Sequence, residues 1–194
     1  GFTRPDRGRI LLRGQDPVQA KSRTCVGYLP ENARYYEYLT PEELLLFGAR
    51  VSGRSTRQAK DNIDALLVKV NLLEEKKKSI RTFSKGMKQR MGIALAMIHE
   101  PDVYILDEPM SGLDPLGRSM LKELLIGEKR KGKTVFFSSH ILNDVEVLCD
   151  RIAVIDHGAI LFCGTIEEFM AASTAPDFES AFVERICHLE KVCA

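Results

Sequence analysis

Two adjacent carboxylates, Asp107 and Glu108, directly follow the apolar run Val103-Tyr104-Ile105-Leu106. Such a run reads as a buried strand, and open parallel sheets bind ligands outside the carboxyl ends of their strands. One carboxylate there can hold Mg²⁺ on a phosphate chain, directly or through water. A second can polarise an attacking water. Taken alone, the pair is equally a strand that ends in two acids. Further residues bear on the choice. Ser84-Lys85-Gly86 opens a helix-like segment upstream. A helix N-terminus with Ser and Gly suits a phosphate, although a plain serine cap explains it too. Ser111-Gly112-Leu113-Asp114-Pro115 follows the acids, with Asp114 able to cap a helix that has Pro115 at its first position. His140 closes the run "TVFFSS", where a neutral imidazole could reach a γ-phosphate or its attacking water. His99, His157 and His188 read as ordinary structural histidines.

The elements that must position these groups follow from periodicity. "RILLR" (9–13) and "TCVGYL" (24–29) read as short strands. Thr40-Pro41-Glu42-Glu43 is a capping box with Pro at the first helical position. Ile63, Leu66, Leu67 and Val70 mark one face of a second helix, and a third begins after Ser84. Residues 40–99 therefore read as a helical insert between strand-type segments. Strands at 103–107 and 134–139 then alternate with helices at 115–131 and 141–149. "RIAVIDHGAILFCG" reads as two strands about an Asp156-His157-Gly158 turn, and Thr165-Ile166-Glu167-Glu168 is a second capping box. A helix over 177–190, with Phe178, Phe182, Ile186 and Leu189 on one face, packs on the core or on a partner. The alternation predicts an α/β fold with a buried, mostly parallel sheet.

The 28 Lys and Arg nearly balance 27 Asp and Glu, so the +1 net charge gives no reason to expect nucleic-acid binding. No apolar run has the length of a membrane span, so any membrane role runs through a partner. Cys25, Cys149, Cys163, Cys187 and Cys193 form no CxxC pair and read as reduced thiols of a cytosolic protein.

In this order the segments resemble the nucleotide-binding domain of ATP-binding cassette (ABC) transporters. "FSKGMKQR" is similar to the family signature, "VYILDEP" to its Walker B segment, "SGLDP" to its D-loop and "FFSSH" to its switch-histidine segment. "VGYLPENARYYEYLTPEELLLF" is similar to the Q-loop and the start of the helical subdomain. The resemblance spans about residues 1–170 and implies a P-loop NTPase-type fold that lacks its phosphate-loop strand. It implies a core over 1–39 and 100–172, a helical subdomain over 40–99 and a C-terminal helix over 173–194. It also implies ATP and Mg²⁺ as ligands, with Asp107 on the metal, Glu108 as general base and His140 on the γ-phosphate. Ser84, Lys85 and Gly86 would face a nucleotide held by a second cassette, and Asp114 would lie at the interface. The implied partners are that second cassette, alike or different, and an integral membrane permease on whose cytoplasmic side the protein sits.

Three positions depart from the family pattern. Glu31 stands where the Q-loop glutamine is usual, and is expected to keep a coupling role although its charge repels phosphate. Lys85 replaces the first signature glycine and Met87 the glutamine. Lys85 either brings positive charge near the γ-phosphate or points to solvent. These variants, with "GYLPE" and "SGLDPLGR", resemble the exporter branch whose permeases are of the ABC-2 type.

A phosphate loop is expected as GxxxxGK[ST] after a strand and before a helix. Residues 127–134, "GEKRKGKT", match the spacing but end a helix and open a strand, so the match is rejected on context. "GFTRPDRGRILLRG" resembles the segment that follows the phosphate-loop helix, which places the true loop just upstream of Gly1. The missing strand would sit mid-sheet, so the 194-residue chain alone is expected to bind ATP weakly and to aggregate. The reading is thus an ATP-hydrolysing subunit, or a piece of one, that powers export. The alternatives are a non-transport cassette protein of the DNA-repair or translation-factor kind and a loop-less, non-hydrolytic module. A single cassette with an insert of ordinary length and no coiled coil favours the first. Glu108 and His140 argue against the last.

Overall fold

A computed structural model describes residues 3–193, without the side chains of residue 58 and of residues 186–193. The chain forms two compact units, divided between Ser138 and Ser139.

The first unit is built on a parallel sheet of three strands, β1 (Val26–Leu29), β2 (Val103–Leu106) and β3 (Thr134–Phe137), in the order β1-β2-β3. Leu29, Leu106 and Phe137 stand in one register row, so all three strands end at the same edge. A short helix α1 (Ala20–Arg23) precedes β1, and the insert between β1 and β2 carries α2 (Pro41–Val51), α3 (Thr56–Lys69) and α4 (Lys85–Met97). The connection from β2 to β3 is α5 (Pro115–Arg130).

Local signals explain most of these boundaries. The Thr40 hydroxyl accepts from the Glu43 amide (3.3 Å), and the Glu43 carboxylate accepts from the Thr40 amide (2.8 Å), so the capping box forms with both of its bonds. Ile63, Leu66, Leu67 and Val70 are all buried, as their spacing requires. Lys76, Lys77 and Lys78 lie in a turn between two short 3₁₀ turns, at Leu73–Glu75 and Ile80–Thr82. Residues 127–130 close α5, Gly132 follows at φ 78°, and Thr134 opens β3. The GxxxxGKT spacing there is therefore the end of a helix, as the context argument predicted.

Two expectations fail. Residues 9–13 form no strand; Leu12 and Gln15 make one isolated bridge around a turn through Arg13, and Ile10 and Leu11 stay exposed. Apolar content alone gives no strand where no neighbouring strand offers a ladder. The sheet is also buried on one face rather than two. Leu29, Tyr104 and Leu106 are covered, whereas Tyr28 and Phe136, which share a row with Ile105 on the other face, are exposed.

The buried face rests on α4, and the approach is close enough to dictate residue size. A Cβ at Gly27 would fall 2.2 Å from the Ala96 carbonyl oxygen and 2.8 Å from Pro101 Cγ. Glycine in mid-strand here marks backbone-to-backbone packing of helix on sheet. Deeper in the same unit, the Tyr104 hydroxyl donates to Glu128 (2.9 Å), which also accepts from Lys131 (2.6 Å). Burial pushes the Glu128 carboxyl up, but Lys131 and Tyr104 outweigh it and hold it below the ordinary glutamate value.

Tyr35 and His99 each bury a polar atom that has no hydrogen-bond partner among the described residues. The Tyr35 hydroxyl has none among the described residues, and its burial raises its pKa above the ordinary tyrosine value. Tyr35→Phe removes an unsatisfied buried hydroxyl without changing the ring, so it should stabilise the fold by about 1 kcal/mol, read as a higher urea midpoint.

The second such group is His99. Its Nε2–H donates to the Val26 carbonyl (3.0 Å), while its buried Nδ1 is unpartnered. Burial holds the imidazole pKa below its ordinary 6.5; the Val26 carbonyl opposes this, and the Arg54 cation adds to it. A folded-state pKa below the unfolded one means the neutral form is favoured by folding. Its contribution is complete above pH 6.5 and is lost as pH falls from 6.5 through the lower folded-state value. The lowered carboxylates, Asp102 and Glu128 among them, give way only near and below their ordinary 3.8 and 4.5. The urea midpoint should therefore hold steady above pH 7 and begin to fall as pH drops below 6.5, and His99→Gln, which keeps an amide donor, should flatten that fall.

The second unit holds α6 (Leu142–Leu148), the antiparallel pair β4 (Arg151–Asp156) and β5 (Ala159–Thr165), α7 (Ile166–Ala171) and α8 (Phe178–Cys193). The hairpin turns at His157 and Gly158, both at positive φ, and His157 is exposed as an ordinary turn residue. Thr165 and Glu168 complete the second capping box. Ile152, Val154, Phe169, Phe178 and Ala181 form the core of this unit, with Phe182 packed against it. Phe178 and Phe182 thus face the core, while the side chains of Ile186, Leu189, His188, Cys187 and Cys193 lie outside the described residues. Cys25 and Cys163 are free thiols. Among the described residues no helix is long and apolar enough to cross a membrane.

Candidate functional site

Parallel register brings the acids and a hydroxyl together. Leu106 pairs with Phe137, so Asp107 and Ser138 leave their strands side by side. The Ser138 hydroxyl donates to Asp107 Oδ1 (2.6 Å) and accepts from the Glu108 amide (2.9 Å). The Asp107 amide donates to the Leu29 carbonyl (2.8 Å), and the Ser138 amide to the Leu106 carbonyl (3.1 Å). The ladder bonds thus continue one residue beyond the strands and fix where the acids emerge. Glu108 then turns sharply, at φ 46°. A non-glycine residue there is strained, and such strain clusters where a side chain must be aimed. Asp107 is exposed and Glu108 half-buried. Glu31 is exposed two residues beyond β1, at the same edge of the sheet.

Ser138 was not among the sequence candidates. It became identifiable only once β2 and β3 were paired in register.

The helix α4 carries the second group. Ser84 is its N-cap, with the hydroxyl accepting from the Met87 amide (3.2 Å). Ser84 and Lys85 are exposed, and Gly86 is half-buried. Gln89, buried on the same helix, donates to the carbonyls of Glu108 (3.2 Å) and Pro109 (3.1 Å). Sequence reasoning missed this tie as well, because a glutamine on a helix gives no sign of a distant carbonyl. Asp114 caps α5, accepting from the Gly117 amide (2.9 Å), with Pro115 at the first helical position. Asp107, Glu108, Ser84, Lys85, Gly86, Asp114 and Glu31 all belong to the first unit. His140 is exposed at the start of the second.

The donors at the sheet edge are oxygens. Among the described residues no group of three or more His, Cys, Asp or Glu side chains could hold a metal ion. A cation at Asp107 would therefore complete its shell with water and ligand oxygens. Mg²⁺ does this, since it keeps several waters and takes one or two carboxylates plus substrate phosphates. The residues present fit it.

Comparison with known proteins shows the family to which the chain belongs. The family model for ABC transporters matches residues 1–111. An uncharacterized ABC transporter ATP-binding protein of Synechocystis sp. is 44% identical over 172 residues, covering 88% of this chain and 49% of the relative. The bacitracin transport ATP-binding protein BcrA of Bacillus licheniformis is 38% identical over 164 residues, covering 83% of this chain and 53% of the relative. A solved structure of an ATP-binding subunit of an ABC transporter superposes with TM-score 0.87 at 33% identity, over 96% of this chain and 79% of that one. The chain belongs to the ABC transporter family. It spans about half the length of the two curated relatives described here.

Proposed function

We propose that this chain forms part of the ATP-binding subunit of an ABC transporter, contributing metal-holding and water-activating residues with which that subunit hydrolyses ATP and drives export through a membrane permease. The observation that carries the reading is the Asp107–Ser138–Glu108 arrangement at the carboxyl edge of the parallel sheet. Asp107, oriented by Ser138, would hold Mg²⁺, which when bound would supply positive charge to the phosphate chain. Glu108, aimed by its strained backbone, accepts the proton of the attacking water. His140 contacts the γ-phosphate. Ser84 and Gly86 present the N-terminus of α4 to a nucleotide held by a second cassette, and Asp114 lies at that interface. Residues 1–39 and 100–172 act as the catalytic core, 40–99 as the helical subdomain and 173–194 as its C-terminal helix.

Coupling to the membrane partner runs through the segment after β1. Glu31 opens it, and the exposed Tyr36, Tyr38 and Phe47 follow, with Tyr36 and Phe47 in edge-to-face contact at 5.8 Å. Exposed aromatics such as these are the residues that interfaces favour. The protein acts at the cytoplasmic side of the membrane, as a peripheral subunit without nucleic acid. The variants at Lys85 and Met87, with "GYLPE" and "SGLDPLGR", support the exporter branch whose permeases are of the ABC-2 type.

The test is co-purification of the tagged protein from detergent-solubilised membranes, with and without Tyr36→Ala/Tyr38→Ala. An integral membrane protein that comes down with the wild type and is lost from the variant supports the reading. A soluble partner, or none, points to a non-transport ATPase.

A further inference from the structure

The loop from Glu108 to Asp114 is pinned at three places, and the third has no counterpart in the family pattern. At its start Gln89 donates to two of its carbonyls. In its middle Met110 and Leu113 are buried. Between them the tip at Gly112 is exposed and stands at φ 71°. What lies against this tip is the stem of Lys85. A Cβ at residue 112 would fall 2.9 Å from Lys85 Cδ and Cε and 3.0 Å from Cγ. The neighbouring Gly86 closes the contact from below, since a Cβ there would fall 3.0 Å from the Gly112 carbonyl oxygen. Gly112 thus leaves open the space that the lysine stem fills. Among the described residues no carboxylate pairs with the Lys85 ammonium.

We propose that Lys85 is a positioning residue, acting through its aliphatic stem rather than its charge. It braces the Gly112 tip against the first turn of α4, and so fixes Asp114 relative to Ser84. This rests on the functional reading above, in which those two residues face the second cassette. Long cationic side chains commonly bury their methylenes while the head stays in water. The family's glycine at this position offers no such brace, so this chain replaces a bare turn with a strut.

Three variants in the natural assembly with its membrane partner test the stem against the charge. Lys85→Ala removes both and should lower kcat about tenfold, with KM for ATP within about twofold, because Ser84 and Asp114 act only once two cassettes have closed. Lys85→Met keeps a stem without charge and should restore kcat to within about threefold of wild type. Gly112→Ala pushes the stem away and should lower kcat as Lys85→Ala does. Combined with Lys85→Ala, it should cost less than the product of the two single losses. Equal losses for Lys85→Met and Lys85→Ala would overturn the stem role in favour of the charge, and a silent Lys85→Ala would overturn both. Denaturant unfolding of the same cycle provides a readout independent of turnover. Non-additive midpoint shifts support the contact, and additive ones overturn it. A wild type without ATP turnover would defeat the functional reading, while the unfolding cycle would still decide whether the strut exists.

Discussion

Glu108→Gln lowers ATP turnover by about 10²- to 10⁴-fold while nucleotide binding survives. That magnitude is the contribution of a well-placed general base. The substitution preserves size and shape and removes the charge and the ability to take a proton. The backbone amide of residue 108 still donates to Ser138, so the orientation of Asp107 is untouched. Phosphate release at saturating ATP reads the first effect, and retention of a fluorescent ATP analogue reads the second. A loss of binding equal to the loss of rate would mean that Glu108 holds ligand rather than activating water.

Gly27→Ala should be the most damaging small substitution in the first unit. Its added methyl meets the Ala96 carbonyl oxygen at 2.2 Å and Pro101 at 2.8 Å. The first obstacle is backbone, which cannot step aside by changing rotamer. Either α4 lifts from the sheet or β1 shifts its register against β2. Overpacking of this kind costs about 3 kcal/mol. Because α4 also carries Ser84 and Gln89, the damage reaches the site. The prediction is a large drop in urea midpoint together with lost turnover. An unchanged midpoint would contradict the close approach of α4 to β1.

The site was more legible in the sequence than the sheet that presents it. Asp107, Glu108, Ser84 and Asp114 announced themselves because each occupies a fixed offset from an element boundary that local signals define. The Ser84 cap, the Thr40 and Thr165 boxes and the Asp114-Pro115 start all depend on residues within one turn of each other. Ser138 and Gln89 were invisible for the opposite reason. Their partners lie 31 and 19–20 residues away, and only strand pairing and helix docking bring them near. "RILLR" misled because its apolar content suggested a strand, and no ladder was available to receive it. The exposed Tyr28 and Phe136 misled in the same way. Continuous apolar strands predict cover on both faces, and the described residues that precede Ser139 cover one.

Lys85 illustrates a middle case. The sequence showed a departure from the family pattern and left its meaning open between a charge for phosphate and a side chain in solvent. The structure adds a third role, because Gly112 at positive φ presents a surface without a side chain for the stem to cross.

The most direct measurement is the release of inorganic phosphate from ATP by the protein assembled with its membrane partner, titrated with Mg²⁺, for wild type and for Asp107→Asn. The account predicts saturable release by the wild type that requires Mg²⁺. It predicts that Asp107→Asn needs a much higher Mg²⁺ concentration for any residual rate. Release that ignores Mg²⁺, or an Asp107→Asn protein with the wild-type Mg²⁺ dependence, would contradict the assignment of the sheet edge as the hydrolytic site.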